Sequence, residues 1–232
     1  MKIIKNEKLI DRNKKIGNAA SLGGLLVLGA GMYISWLKPE LFNYAILSLL
    51  LGFILTQVSI YLGNRFGRSP RPDEKLDAGL KGLPGDFTIY HYSAPVSHLM
   101  VGHAGIWIIL PYRQNGSITY AKNRWKLSGG GFMQGYMRLF GQEGIGRPDI
   151  EAEGEISSLQ KQLAKKMEGE NIPPIQAMLV FTSDEVEVNA EDAPLPTMKL
   201  KQLKDFFRQK AKEHILSPED LEKIKSILPA EA

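Results

Sequence analysis

The chain has no cysteine. Disulfides, thiolate metal sites and cysteine nucleophiles are therefore excluded, and the absence fits a reducing compartment. Histidine is scarce, at four residues in 232, so a histidine-built metal centre has few places to form. No Gly-Lys-Ser or Gly-Lys-Thr follows a glycine-rich stretch, which removes a P-loop. Spacing supports neither a Ser/His/Asp triad nor a glycosidase-like carboxylate pair. Charge is also missing from two long stretches, Ile16 to Leu37 and Asn43 to Gly63.

Those two stretches are the strongest signal present. A helix crosses about 30 Å of hydrocarbon in roughly 20 residues, and each is long enough. The connector Lys38-Pro39-Glu40-Leu41-Phe42 is too short to be a domain. The expected unit is a transmembrane hairpin with spans 16–37 and 43–63, retained as an anchor. Ser48, Gly52 and Thr56 recur at helical spacing, as do Ala19/Gly23 and Ala20/Gly24. Such residues let helices approach closely. They suit packing within the hairpin and also offer a seam for a homo-oligomer.

Basic residues surround the hairpin rather than the rest of the chain. Residues 1–16 carry a net +4 and the segment after Gly63 adds +3 through Arg65, Arg68 and Arg71, whereas residues 73–232 sum to −3. The pI of about 9.1 is thus no argument for nucleic acid across the whole soluble part. The three arginines are expected beside anionic lipid. By the positive-inside rule both ends face the cytoplasm. The expected location is the inner (plasma) membrane of a bacterial cell, multi-pass, with both termini and the soluble domain cytoplasmic. The organisation reads as a basic cytoplasmic segment over 1–15, the hairpin over 16–63, and a linker over 64–72. A domain over 73–212 and a C-terminal helix over 213–232 follow.

The soluble part alternates helix and strand signals. A helix is expected from Asp73 to Lys81, stopped by Gly82, Pro84 and Gly85. Strands are expected over Phe87–Tyr92, Val96–Val101, Ile106–Leu110 and, after an Asn115-Gly116 turn, Ser117–Ala121. Arg124–Leu127 extends the sheet. A glycine-rich segment spans 128–148, with Phe132, Met133, Tyr136, Met137 and Phe140 at helical spacing. A helix over Ile150–Met167, strands at Ile175–Phe181 and Val186–Val188, and a helix over Leu200–Lys212 follow. Ser217 with Pro218 and two acids opens the last helix. The fold class is a membrane α-helical hairpin plus an α/β, α+β-like soluble domain.

The order of helix, three or four strands, helix, strand and helix is that of the restriction-endonuclease-like core, a mixed sheet flanked by helices. The segment from Val96 to Ile109, VSHLMVGHAGIWII, resembles the nuclease-related domain known as NERD, with Gly116 and Trp125 matching a downstream Gly and Trp. The resemblance covers roughly residues 73–212. It implies a metal-dependent phosphodiesterase site built from a strand Asp, a Glu and a Lys, with two carboxylates on Mg²⁺. This chain departs from that pattern. The Asp position is Ser97, beside His98. The Glu position is Leu110 and the Lys position is Tyr112, followed by Arg113. Serine and leucine cannot replace anionic ligands, and arginine stays protonated.

The expected function is therefore a membrane-anchored binding or scaffold module, not an enzyme, with nucleic acid or a protein as ligand. No metal or cofactor is expected. Two alternatives stay open. One is a Mg²⁺-dependent nuclease whose carboxylates have moved to Glu74, Asp77 and Asp86, with His98 and Arg113 as residual helpers. The other is a membrane-assembly protein without nucleic acid. Arg113, Lys122, Arg124 and Lys126, interleaved with Tyr112, Tyr120 and Trp125, are the nucleic-acid candidates. They suit solvated strand ends equally. His98 and His103 suit hydrogen bonding better than metal, although His91 would complete a trio.

Overall fold

The computed structural model describes residues 1–129, 144–167, 172–213 and 215–230. The stripe from Phe132 to Phe140 lies outside them. The chain forms two compact units: residues 7–71, and residues 1–6 together with 72–232.

The first unit is a helical hairpin. Helix α1 runs Glu7–Leu37, a 3₁₀ turn covers Pro39–Leu41, α2 runs Phe42–Leu62, and a wide π turn covers Gly63–Gly67. Both helices are long and apolar enough to cross a membrane. Helix α1 begins earlier than the apolar run, because Glu7 to Lys15 include Glu, Leu, Arg and three Lys, all good helix formers, with an acid in the first turn. The outward surface is apolar: Leu22, Leu25, Leu26, Leu47, Leu50 and Phe53 are all exposed, which suits lipid and not water.

The helices meet along a glycine seam. Gly17, Gly24 and Gly31 repeat every seven residues on α1 and are buried. A Cβ on Gly31 would stand 2.7 Å from Ser48 Cβ, and one on Gly52 would stand 2.5 Å from Leu28. Ser48 and Gly52 are therefore spent inside the hairpin. Ser48 Oγ and Thr56 Oγ1 donate to their own helix, to Tyr44 O at 2.9 Å and Gly52 O at 2.8 Å, so neither hydroxyl is left unsatisfied in an apolar setting.

The second unit is a mixed α/β domain. A six-stranded sheet has the order β1-β2-β3-β4-β7-β9. Its strands are β1 Lys2–Lys5, β2 Thr88–His91, β3 His98–Gly102, β4 Gly105–Tyr112, β7 Ile175–Phe181 and β9 Thr197–Lys199. Strands β2, β3 and β4 form an antiparallel meander, while β1 lies parallel to β2 and β7 parallel to β4. Helices α3 (Pro72–Leu80) and α5 (Leu200–Ala211) bring Leu76, Leu80, Leu203 and Phe207 to the core on one face, with Ile89, Trp107 and Ile109. Helices α4 (Pro148–Lys166) and α6 (Pro218–Ile227) bring Leu159, Leu163, Leu221 and Ile224 to the other, with Leu99, Ile108 and Leu179. Burial on both faces explains the continuous apolar run of β4.

Three features differ from the sequence expectations. Residues 2–5 form a strand, where only a basic tail was expected. Lys-Ile-Ile-Lys is too short to show periodicity, and its partner lies beyond the hairpin. Strand β5 (Gly116–Ala121) does not return along β4. It pairs with β6 (Arg124–Ser128) and β8 (Val186–Asn189) in a second, three-stranded sheet. The tight hairpin turn is Lys122-Asn123, with φ of 52° and 56°, the type I′ geometry that matches strand twist. Gly116, at φ +98°, instead carries the chain between sheets past Ser128 O, which a Cβ would approach to 2.4 Å. The last helix, α6, opens as expected, with Ser217 Oγ accepting from Asp220 N at 3.1 Å, but it belongs to the domain core.

Gly102 is buried on β3, and a Cβ there would stand 2.4 Å from the ring of Phe87. Gly102→Ala is expected to cost about 1–3 kcal/mol by overpacking, read as a lower urea midpoint for the detergent-solubilised protein. An unchanged midpoint would contradict this packing.

Candidate functional site

The polar side chains of the large sheet gather at one end. There β1, β2, β4 and β7 finish, β3 begins and α3 starts, so strand carboxyl ends and a helix amino end coincide. In open α/β sheets ligands bind at the carboxyl ends of strands. Successive residues of each strand point to opposite faces, which divides this end into two polar groups.

The face under α4 holds the positions where the nuclease-like pattern would place its catalytic groups. The register that pairs Leu99 with Ile108 runs Ser97 toward Leu110. Ser97 Oγ donates to Glu155 Oε1 at 3.4 Å. Leu110 is 2% exposed and belongs to the core. Tyr112 OH donates to Glu151 Oε2 at 2.7 Å. Burial, then that hydrogen bond, then the charges of Glu151, Glu155 and Asp149 push the Tyr112 phenol far up. It is a fixed neutral donor. Glu151 and Glu155, four apart on α4, are thus the carboxylates that reach this position. Sequence reasoning missed them, although their spacing on a face beside buried Ala152 and Leu159 was the available signal.

The carboxylates expected to move there do not converge. Glu74 and Asp77 lie on α3, across the sheet. Asp86 lies at the opposite end of β2, its Oδ2 3.6 Å from His103 Nε2. His103 is therefore separated from the other two histidines.

The face under α3 holds a buried ionic cluster. Register aligns Lys5 with His91 and His91 with His98 across three adjacent strands. Above this row, Asp73 and Asp77 project from α3, four residues apart. Lys5 Nζ lies 3.1 Å from Asp73 Oδ2 and 2.5 Å from Asp77 Oδ2. Asp77 Oδ1 is 3.0 Å from His91 Nε2, and His91 Nδ1 is 2.7 Å from His98 Nδ1. Asp73 and His91 are fully buried and His98 nearly so. The geometry fixes much of the protonation. His91 Nε2 must donate to the carboxylate. Of the two facing Nδ1 atoms, one carries a proton and the other accepts it, so both rings cannot be imidazolium together. Burial opposes the Lys5 ammonium, but hydrogen bonds to Asp77 and Asp73 and their charges outweigh it and hold Lys5 above the ordinary lysine range. Among the described residues no three His, Asp or Glu side chains are arranged to hold a metal ion.

The basic candidates fall in two places. Arg113 follows β4, close enough to Lys75 on α3 that its charge joins burial in lowering the lysine pKa. Arg124 and Lys126 lie on β6 of the second sheet and Lys122 in the turn before it. Register places Arg124, Lys126 and Ser128 on one face of β6, opposite Ala121, Thr119 and Ser117 of β5. Trp125 points the other way and is buried, with Tyr120 packed at 5.0 Å between ring centroids. The aromatic side chains are therefore turned inward, and the outer face carries Arg124 and Lys126 with hydroxyls, and Glu187 and Asn189 on the β8 side. In the hairpin unit, Arg65 donates to Tyr61 OH at 2.8 Å and lies over the Tyr61 and Phe66 rings.

No protein-family model, curated protein or solved structure matches this chain.

Lys5→Met removes the ammonium that lies between Asp73 and Asp77. The expected loss is about 3–5 kcal/mol near neutral pH, measured by denaturant unfolding. Because the Lys5 pKa is higher folded than unfolded, its stabilisation is complete below the free-lysine value of 10.5 and fades as pH rises through the raised folded value. The gap between parent and Lys5→Met should therefore close only in strong alkali. A gap that closes by pH 9 would contradict the cluster.

Proposed function

We propose that the protein is a membrane-anchored, cytoplasmic NERD-like domain that binds and scaffolds rather than cleaves. The chain order α3-β2-β3-β4-α4-β7 agrees with the restriction-endonuclease-like core that the sequence suggested. The carrying observation is the filling of the catalytic positions. Leu110 is core, Tyr112 is a neutral donor to Glu151, and a serine replaces the ligating aspartate. Among the described residues no pair of strand carboxylates stands at these positions to hold Mg²⁺.

Anchoring follows from the hairpin and from β1. Residues before α1 and after α2 share one sheet, so a hairpin that enters the membrane must leave it on the same side. The positive charge beside both ends favours the cytoplasmic side.

The ligand best matched by the surface is a nucleic-acid phosphate backbone on the outer face of the second sheet. Lys122, Arg124 and Lys126 supply charge, while Ser117 and Thr119 supply hydroxyl donors. With Trp125 buried, bases have no platform there, so the contact is sequence-independent. Neutralising about three phosphates gives a log–log salt slope of about −2 to −3, or roughly a 30-fold loss between 50 and 200 mM salt. Lys122→Glu, Arg124→Glu and Lys126→Glu together should abolish binding of labelled single-stranded DNA or RNA. A flat salt response in the parent would remove nucleic acid as the ligand.

One observation favours a second reading, a nuclease with relocated carboxylates. Glu151 and Glu155 reach Tyr112 and Ser97 and offer the hard oxygen donors that Mg²⁺ takes. Incubating the purified full chain with DNA and RNA plus Mg²⁺ or Mn²⁺ separates the two. The binding reading expects no cleavage. Cleavage lost in Glu155→Gln would establish the nuclease.

A further inference from the structure

We propose that the open edge of β1 is a docking strand for an extended, acid-flanked peptide segment of a protein partner. In the parallel ladder Lys2 N donates to Phe87 O and Asn6 N donates to His91 O, so the even-numbered residues of β1 face β2. The backbone N–H and C=O of Ile3 therefore point away from the sheet, toward its free edge. Beside that edge a groove is lined by Met1, Ile3, Asp77, Ala78, Lys81 and Leu83, the Asp77 carboxylate being paired with Lys5 and His91. Ile3 is 44% exposed, and with Ile150 it is one of two large apolar side chains that the described part of this domain leaves exposed. An unpaired donor and acceptor next to an apolar slot is the geometry of strand addition.

Charge chooses the occupant. Edge strands are commonly guarded by lysines. Here Lys5 is drawn inward by Asp73 and Asp77 and guards nothing. Lys2 and Lys81 remain exposed on the two sides of the edge. They repel a second copy of β1, which would bring lysine toward lysine, and attract a strand with Asp or Glu at its ends. This surface is separate from the basic face of the second sheet, so the two inferences stand or fall independently.

The test uses the full chain in detergent micelles and two synthetic probes, acetyl-Asp-Val-Thr-Val-Asp-amide and its lysine-flanked counterpart. Fluorescence anisotropy should show the acidic peptide binding at least tenfold more tightly, and hydrogen exchange should show the Ile3 amide protected when it binds. Ile3→Pro removes the outward N–H together with the exposed Ile3 side chain, so binding should vanish while the thermal midpoint, which depends on the inward ladder, holds. Where that variant does not fold, Lys2→Glu with Lys81→Glu decides, because the preference should invert to the lysine-flanked peptide. Equal binding of both peptides, no Ile3 protection at millimolar peptide, or an uninverted preference would overturn the proposal. So would Ile3 protection that rises with protein concentration alone, which would assign the edge to a second copy.

Discussion

Lys5 is the residue on which the domain closes. It ends a strand that precedes the hairpin, yet its ammonium is held between two carboxylates of the helix that follows the hairpin, at 3.1 Å from Asp73. Removing a charge from water is costly unless partners surround it. Asp73 and Asp77 from α3 supply them, and His91 and His98 continue the line across the sheet. A fragment of residues 72–232 alone would lack β1, leave β2 as the edge of the sheet and lose the Lys5 ammonium from beside Asp73 and Asp77. The hairpin is therefore an insertion within one domain, and the sheet is complete only when both sides of that insertion are joined.

This arrangement also sorts the chemistry at the strand ends. The face under α3 is structural: its charges are paired, buried and turned toward each other. On the face under α4, Tyr112 and Ser97 give hydrogen bonds to Glu151 and Glu155. Arg124 and Lys126 are exposed on the outer face of the second sheet. Under the proposed reading, a domain of this kind holds a ligand rather than cutting it.

The hairpin, the strands β4 and β7 and the start of α6 were legible in the sequence because each carries a local signal: unbroken apolar length, continuous burial, or a serine cap followed by proline. The organisation of the site was not. Lys-Ile-Ile-Lys gains its strand only from a partner more than eighty residues away. The Asn115-Gly116 pair reads as a hairpin turn, but the chain uses its glycine to pass between sheets. His91 and His98 could be seen as strand-end histidines. Their meeting depended on a register fixed by β2 and β3, and their partners Asp73 and Asp77 depended on α3 packing over that row. The basic stripe was visible, but which of its aromatics turned inward depended on pairing β5 with β6.

The absence of cysteine makes the central claim directly measurable. Single cysteines placed at Lys2, at Glu40 in the connector and at Glu187 in the domain can be probed in sealed inverted and right-side-out vesicles with an impermeant maleimide. The account predicts that Lys2 and Glu187 positions label from the cytoplasmic side alone and the Glu40 position from the opposite side alone. Labelling of the Lys2 and Glu187 positions from opposite sides would contradict a sheet shared across the hairpin. Labelling of all three from one side would contradict a membrane-spanning anchor.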